Sequence, residues 1–267
     1  MMKTKKISLV TGAGGMLGLQ HASALLEMGN EVILVDVNNY SLKKNFSLLN
    51  KKHSKKIFSY KVDISKEKDV KNLALKIKKK FKKINILINN AAIDYIPKAK
   101  VKLKKNKFSN SFEDFSHTRW NKELSVGLTG TFLMSKYFGQ LMRKNEKNVI
   151  VNISSDLSVI APNQKLYSHL KSFKPVTYSV IKFGIVGMTK YLAAYWAKKN
   201  IRVNSLSPGG IYNFQDKVFV NKLKKEIPLG RMAAVDEYKG SIKYLCSEES
   251  SYMTGHNLVV DGGRTLI

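Results

Sequence analysis

The chain has 267 residues, a formal net charge of +28 and a single cysteine, Cys246. That length suffices for one large α/β domain, and no apolar run approaches the length needed to span a bilayer. One cysteine excludes an internal disulfide and suits a reducing compartment, so a cytoplasmic location is expected.

The opening segment mimics a secretion signal, with Lys3, Lys5 and Lys6 before a mostly apolar run. Gly12, Gly14, Gly15 and Gly18 interrupt that run, so it reads instead as a first strand and a turn. Strands are expected over 7–11, 31–36, 57–62, 86–89, 148–153, 201–205 and 257–260. Helices are expected over 16–28, 40–51, 66–81, 117–143, 176–198 and 236–247. This alternation implies an α/β fold: a Rossmann-like, doubly wound parallel sheet of about seven strands with helices on both faces. No repeat or linker divides the chain, so residues 1–267 are expected to form a single domain. Long insertions over 94–116 and 157–174 break the rhythm, and loops of that length usually serve function.

The charge excess is nearly all lysine, with arginine only at 119, 143, 202, 231 and 264. Bidentate nucleic-acid reading favours arginine. Within 65–83 the apolar Val70, Leu73, Ala74, Ile77 and Phe81 form one stripe and lysines fill the other faces. The charge therefore reads as a solvated surface, with no specific nucleic-acid or membrane partner expected. The densest run, 98–107, suits attraction of an anionic substrate into a cleft.

Thr11-Gly-Ala-Gly-Gly-Met-Leu-Gly18 follows the first strand and opens the first helix. Glycines there let the backbone approach a pyrophosphate seated on the helix N-terminus. The second strand ends in Asp36, 18 residues after Gly18, where a carboxylate accepts from ribose hydroxyls and repels a 2′-phosphate. NAD is thus expected rather than NADP. No cluster of metal-ligand spacing is present.

Tyr178-Ser-Val-Ile-Lys182 puts a phenol and an ammonium on one helical face, where the cation favours the phenolate. Such a pair can move a proton on or off an alcohol oxygen. Tyr167-Ser-His-Leu-Lys171 repeats the spacing, but Pro175 follows it closely and a helix does not extend there. Tyr167 is therefore expected in a loop, packing or contacting substrate.

Taken together, these motifs resemble the short-chain dehydrogenase/reductase family. The resemblance runs from Ser8 to Gly263 through the glycine loop, Asp63-Ile64, Asn89-Asn-Ala-Ala92, Asn152-Ile-Ser-Ser155, Tyr178 with Lys182, Ser207-Pro-Gly209 and Asp261-Gly-Gly263. It implies that Gly12, Gly15, Met16, Leu17, Gly18 and Asp36 bind the cofactor, with Asp63 and Ile64 at its adenine. Asn90 and Ala91 would lie along it, and Pro208 and Gly209 by its nicotinamide. Ser155 would hydrogen-bond the substrate oxygen, with Ser154 as the competing assignment. Tyr178 would be the acid/base, and Lys182 would hold the nicotinamide ribose and lower the tyrosine pKa. The resemblance also settles the duplicate for Tyr178, because a long helix leading to a strand follows it as in the family.

Two positions depart from the pattern. Met16 replaces the middle glycine of the usual loop, and Gly127 stands where an asparagine commonly holds a relay water. Val-Gly-Leu-Thr-Gly130 and the 157–174 insertion look like a subgroup of flagellin-modification proteins tied to surface sugars. The expected function is oxidoreduction between a secondary alcohol and a ketone, on a sugar or sugar phosphate. The alternatives are a non-catalytic dinucleotide-binding regulator and a polyanion-binding protein. The family further implies a homodimer or homotetramer, packing through Leu128, Phe132, Tyr137, Phe183, Tyr191 and Trp196, with Leu266 and Ile267 available to a subunit contact.

Overall fold

The computed structural model describes residues 6–54, 56–94 and 110–267. Seven strands form one parallel sheet in the order β3-β2-β1-β4-β5-β6-β7. They are β1 (Ile7–Thr11), β2 (Glu31–Asp36), β3 (Ile57–Lys61), β4 (Ile86–Asn89), β5 (Asn148–Ile153), β6 (Ile201–Pro208) and β7 (Asn257–Val260). The central strands β1, β4 and β5 are buried along their whole length because helices cover both faces of the sheet. Successive residues point to opposite sides: Leu9, Ile33, Leu87, Ile150 and Val203 enter one core, while Val10, Leu34, Ile88, Val151 and Leu206 enter the other.

The first core takes α3 (Glu67–Phe81), α5 (Gly130–Gly139) and α6 (Val176–Trp196). The second takes α1 (Met16–Glu27), α2 (Asn39–Asn50) and α8 (Tyr238–Cys246). In α3 the stripe holds: Val70, Leu73, Ala74 and Ile77 are buried, with Glu67 and Asp69 in its first turn and lysines in its last, matching the helix dipole. β1 is flanked by β2 and β4, so the chain reverses direction across the sheet there and opens a crevice at the strands' C-terminal ends.

Three expectations need correction, and one helix was not expected. The helix expected over 117–143 is α4 (His117–Leu124), a π-helical turn over Ser125–Thr129, then α5. The turn seats Gly127 against Ile181, where a Cβ would lie 2.6 Å from Ile181 Cγ2. β6 runs to Pro208 rather than 205, because β7 pairs alongside it from Ser205 to Pro208. The segment 211–226 contains a helix, α7 (Lys217–Lys225), capped by Asp216, whose carboxylate accepts from the Val218 and Phe219 amides. The 157–174 insertion is not structureless: short 3-10 turns occupy Asp156–Ser158 and Gln164–Leu170. The lysine run over 98–107 lies outside the described residues.

Candidate active site

The glycine turn is shaped by close approach. Gly12 has φ +64°, and a Cβ there would lie 2.7 Å from Ala91 Cα. A Cβ on Gly18 would lie 2.2 Å from Gly12 O. Asn90 fastens the turn, donating from Nδ2 to Thr11 O (3.0 Å) and Gly12 O (3.2 Å). The Thr11 hydroxyl in turn accepts from the Asn90 and Ala91 amides. Helix α1 starts beside Gly15 with no side-chain cap and no acid in its first turn. Its leading N–H groups are therefore not taken up by a cap and suit an anion. Asp36 stands beside the turn, accepting from the Gly14 amide (2.9 Å) and the Asn38 amide (2.8 Å).

A cleft of about 800 Å³ runs from this turn across the strand ends. Every residue expected at the site lines it: Gly12, Gly15, Met16, Leu17, Gly18, Asp36, Asp63, Ile64, Asn90, Ala91, Ser155, Tyr178, Lys182, Pro208 and Gly209. Burial alone would raise the Asp63 carboxyl, but hydrogen bonds from Ser65 and the nearby Lys66 ammonium hold it below its ordinary value. A Cβ on Gly209 would lie 2.6 Å from Asp261 Cα, so that wall is set by backbone against backbone.

The two serines after β5 part company. Ser154 Oγ donates to Lys182 O (2.8 Å), binding β5 to α6. Ser155 Oγ donates to Asp156 Oδ1 (2.7 Å) and lies within hydrogen-bonding reach of Tyr178. Asp156 is itself held by buried Arg264, which also pairs with Glu226. Pro175 leads into α6, which carries Tyr178 and Lys182 one turn apart. Lys182 Nζ donates to Ile153 O (3.0 Å) and sits 5.5 Å from the Tyr178 ring centre.

The electrostatics differ from the expectation that Lys182 lowers the tyrosine pKa. Burial pushes the Tyr178 phenol well above its ordinary value, and the Asp94 carboxylate adds to that. Burial likewise lowers Lys182 to about 8, with Asp94 opposing and Lys174 adding to the fall. Desolvation is the largest influence on both groups.

The second tyrosine packs, as expected, in a short 3-10 turn within the insertion. Tyr167 sits in the 3-10 turn, its ring 5.2 Å from that of Phe219 on α7, and it also lines the cleft. Leu166, Tyr167, Phe219, Val220, Leu223, Ile227 and Met232 form a small separate core that walls the substrate end. Lys171 ends that turn at φ +46°, which stops the helix before Lys171 can share a helical face with Tyr167. Lys174 was not anticipated: its Nζ lies 3.6 Å from the Tyr178 ring centre.

Residues 12–265 match a family model described as Enoyl-(Acyl carrier protein) reductase. An NAD-dependent glycerol dehydrogenase of Listeria innocua is 32% identical over 98% of this chain and 95% of its own. A post-translational flagellin modification protein A of Campylobacter coli is 30% identical over 98% of this chain and 99% of its own. A short-chain dehydrogenase of Leptospira borgpetersenii, solved with bound NAD+, superposes with a TM-score of 0.83 at 32% identity, covering 98% of this chain and 93% of that one. The chain belongs to the short-chain dehydrogenase/reductase family. It is an oxidoreductase of that class, and the resemblance carried by its motifs holds across the whole fold. Among the described residues, no helix is long and apolar enough to cross a membrane.

Proposed function

We propose that this chain is an NAD-dependent dehydrogenase/reductase that interconverts a secondary alcohol and a ketone on a polyol, sugar or sugar phosphate, with Tyr178 as acid/base. The reading rests above all on Ser155, Tyr178 and Lys182 lining the same cleft as the glycine turn and Asp36. The cradle fits a dinucleotide: Gly12 and Gly18 have no room for a side chain, and the α1 N-terminus is uncapped. Gly12, Gly15, Met16, Leu17 and Gly18 would hold its pyrophosphate, Asp36 its adenosine ribose, and Asp63 and Ile64 its adenine. Asn90 and Ala91 would lie along it, Lys182 at its second ribose, and Pro208 and Gly209 at its nicotinamide. Bound NAD supplies the hydride acceptor, and its reduced form the donor.

The protein's own residues then manage the proton. Ser155 hydrogen-bonds the substrate oxygen, and Tyr178 takes the alcohol proton or returns it to the carbonyl oxygen. A raised phenol pKa suits proton donation during ketone reduction, whereas alcohol oxidation needs the phenolate and gains from higher pH. Asp36 favours NAD over NADP, because its carboxylate repels a 2′-phosphate. The glycerol dehydrogenase likeness supports a polyol substrate, and the flagellin modification likeness supports a role in bacterial surface-glycan synthesis in the cytoplasm.

The chain is further proposed to form a homodimer or homotetramer through α5 and α6, where Phe132, Phe183 and Tyr191 are exposed. Tyr195 joins that face, whereas Trp196 is buried against Gly139 and belongs to the core. The test is purified protein with NAD and a panel of polyols, sugars and sugar phosphates, read by cofactor absorbance. Turnover is expected on at least one, falling about 10²–10⁴-fold in Tyr178→Phe. No turnover on any of them, or full activity in Tyr178→Phe, overturns the reading.

A further inference from the structure

The chain carries Lys174, Tyr178 and Lys182 at successive intervals of four residues. The second interval is the pair already described; the first belongs to this chain's insertion. The Lys174 ammonium lies over the face of the Tyr178 ring, 3.6 Å from its centre, closer than the 5.5 Å of Lys182. Lys174 is 8% exposed. The insertion pins its backbone: Lys174 N donates to Gln164 Oε1 (2.8 Å), and Lys174 O accepts from Gln164 Nε2 (3.4 Å). Its ammonium pairs with Asp94 Oδ1 at 2.9 Å, and that carboxylate is half exposed.

We propose that Lys174 is a positioning residue that stabilises the ionised form of Tyr178 from the ring face, with Asp94 moderating its charge. A phenolate ring is more electron-rich than a phenol ring, so a cation over its face binds the ionised form more strongly. This inference rests on the acid/base reading of Tyr178 and extends it to a residue outside the motif. Charged or titratable groups reach Tyr178 from each surrounding segment. Lys182 lies on α6 itself, Lys174 just before it, Asp94 after β4, Asp156 after β5 and Tyr167 in the insertion turn. Of these, only the two lysines favour the phenolate. The insertion thus delivers to the acid/base a second cation that the Tyr178/Lys182 pair lacks. A purely structural Lys174 would tie the Asp94 segment to the insertion and leave the titration of Tyr178 unchanged.

The test reads position 178 without requiring turnover. Tyr178 is replaced by difluorotyrosine, whose more acidic phenol ionises where the fold survives, and its fluorine NMR shift is followed against pH in the full chain. Lys174→Met is expected to raise the midpoint by about one pH unit. Lys174→Arg, which keeps the charge, stays near the parent value. Asp94→Asn lowers the midpoint, and the double variant Lys174→Met with Asp94→Asn returns towards the parent. Equal midpoints in the parent and Lys174→Met overturn the proposal, as does an equal rise in Lys174→Arg. If Lys174→Met does not fold, an unmoved midpoint in Asp94→Asn overturns it instead. The tyrosine form of each variant should show the same order in its pH–rate profile. Absence of turnover alone sinks the proposed alcohol–ketone activity and leaves these midpoints standing.

Discussion

His21 lies on α1, fully buried, and neither ring nitrogen has a hydrogen-bond partner. Burial holds its pKa at about 3, against an ordinary value of 6.5. The sign follows from proton counting: between those values the unfolded chain binds a proton that the folded chain refuses. Stability from this residue is therefore complete above the unfolded value and is lost as pH falls towards the folded one. At about pH 5, some 1.5 units below the unfolded value, the loss is about 2 kcal/mol at 1.36 kcal/mol per unit. His21→Leu removes the titration and the unsatisfied N–H together. At neutral pH it should be about 1 kcal/mol more stable than the parent, less any misfit of the new side chain. The assay is urea unfolding by circular dichroism near pH 7.5 and pH 5, at one protein concentration. The stability gap between variant and parent should widen by about 2 kcal/mol on the acid side. A gap that does not widen refutes the buried, unpartnered imidazole.

Gly18→Ala puts a Cβ 2.2 Å from Gly12 O and 2.8 Å from Ala13 Cα, both backbone, so the turn itself must move. NAD affinity by calorimetry should fall at least about tenfold, equivalent to about 1.4 kcal/mol, with the far-ultraviolet spectrum unchanged. Ser155→Ala should lower kcat by about 10²–10³-fold through loss of a donor to the reacting oxygen. Ser154→Ala, which loses the bond to Lys182 O, should instead cost about 1 kcal/mol of stability and little turnover. Equal kinetic losses in the two would reverse their assignment. Gly127→Asn should destabilise by about 1–3 kcal/mol rather than activate, because its Cβ meets Ile181 Cγ2 at 2.6 Å. Ile181→Ala in the same chain should recover part of the lost melting temperature.

Much of the fold was legible because a parallel sheet covered on both sides leaves short, continuous apolar runs, as in β2 and β4. The glycine turn was legible in part for a related reason: Gly18 is demanded by contact with Gly12 and Ala13 a few residues away, although Gly12 itself meets Asn90 and Ala91 after β4. Helix α7 was hidden because Lys217–Lys225 packs on the insertion, a partner 50 residues distant in sequence, and its lysines mask the apolar face made by Phe219, Val220 and Leu223. The π-helical turn around Gly127 was hidden for the same reason, since the side chain it packs against, Ile181, lies on α6.

The sequence alone determined the order of the seven strands, the position of the glycine turn and the placement of Tyr178 and Lys182 one turn apart on a long helix. These depend on local periodicity and on what proline and glycine permit. Tertiary structure alone decided that Ser154 bonds Lys182 O while Ser155 bonds Asp156, that Tyr167 packs on Phe219, and that Lys174 lies on the Tyr178 ring. It also decided the direction in which Tyr178 is perturbed. Spacing places a cation beside a phenol, but the balance between desolvation and charge is set by every segment that closes around them.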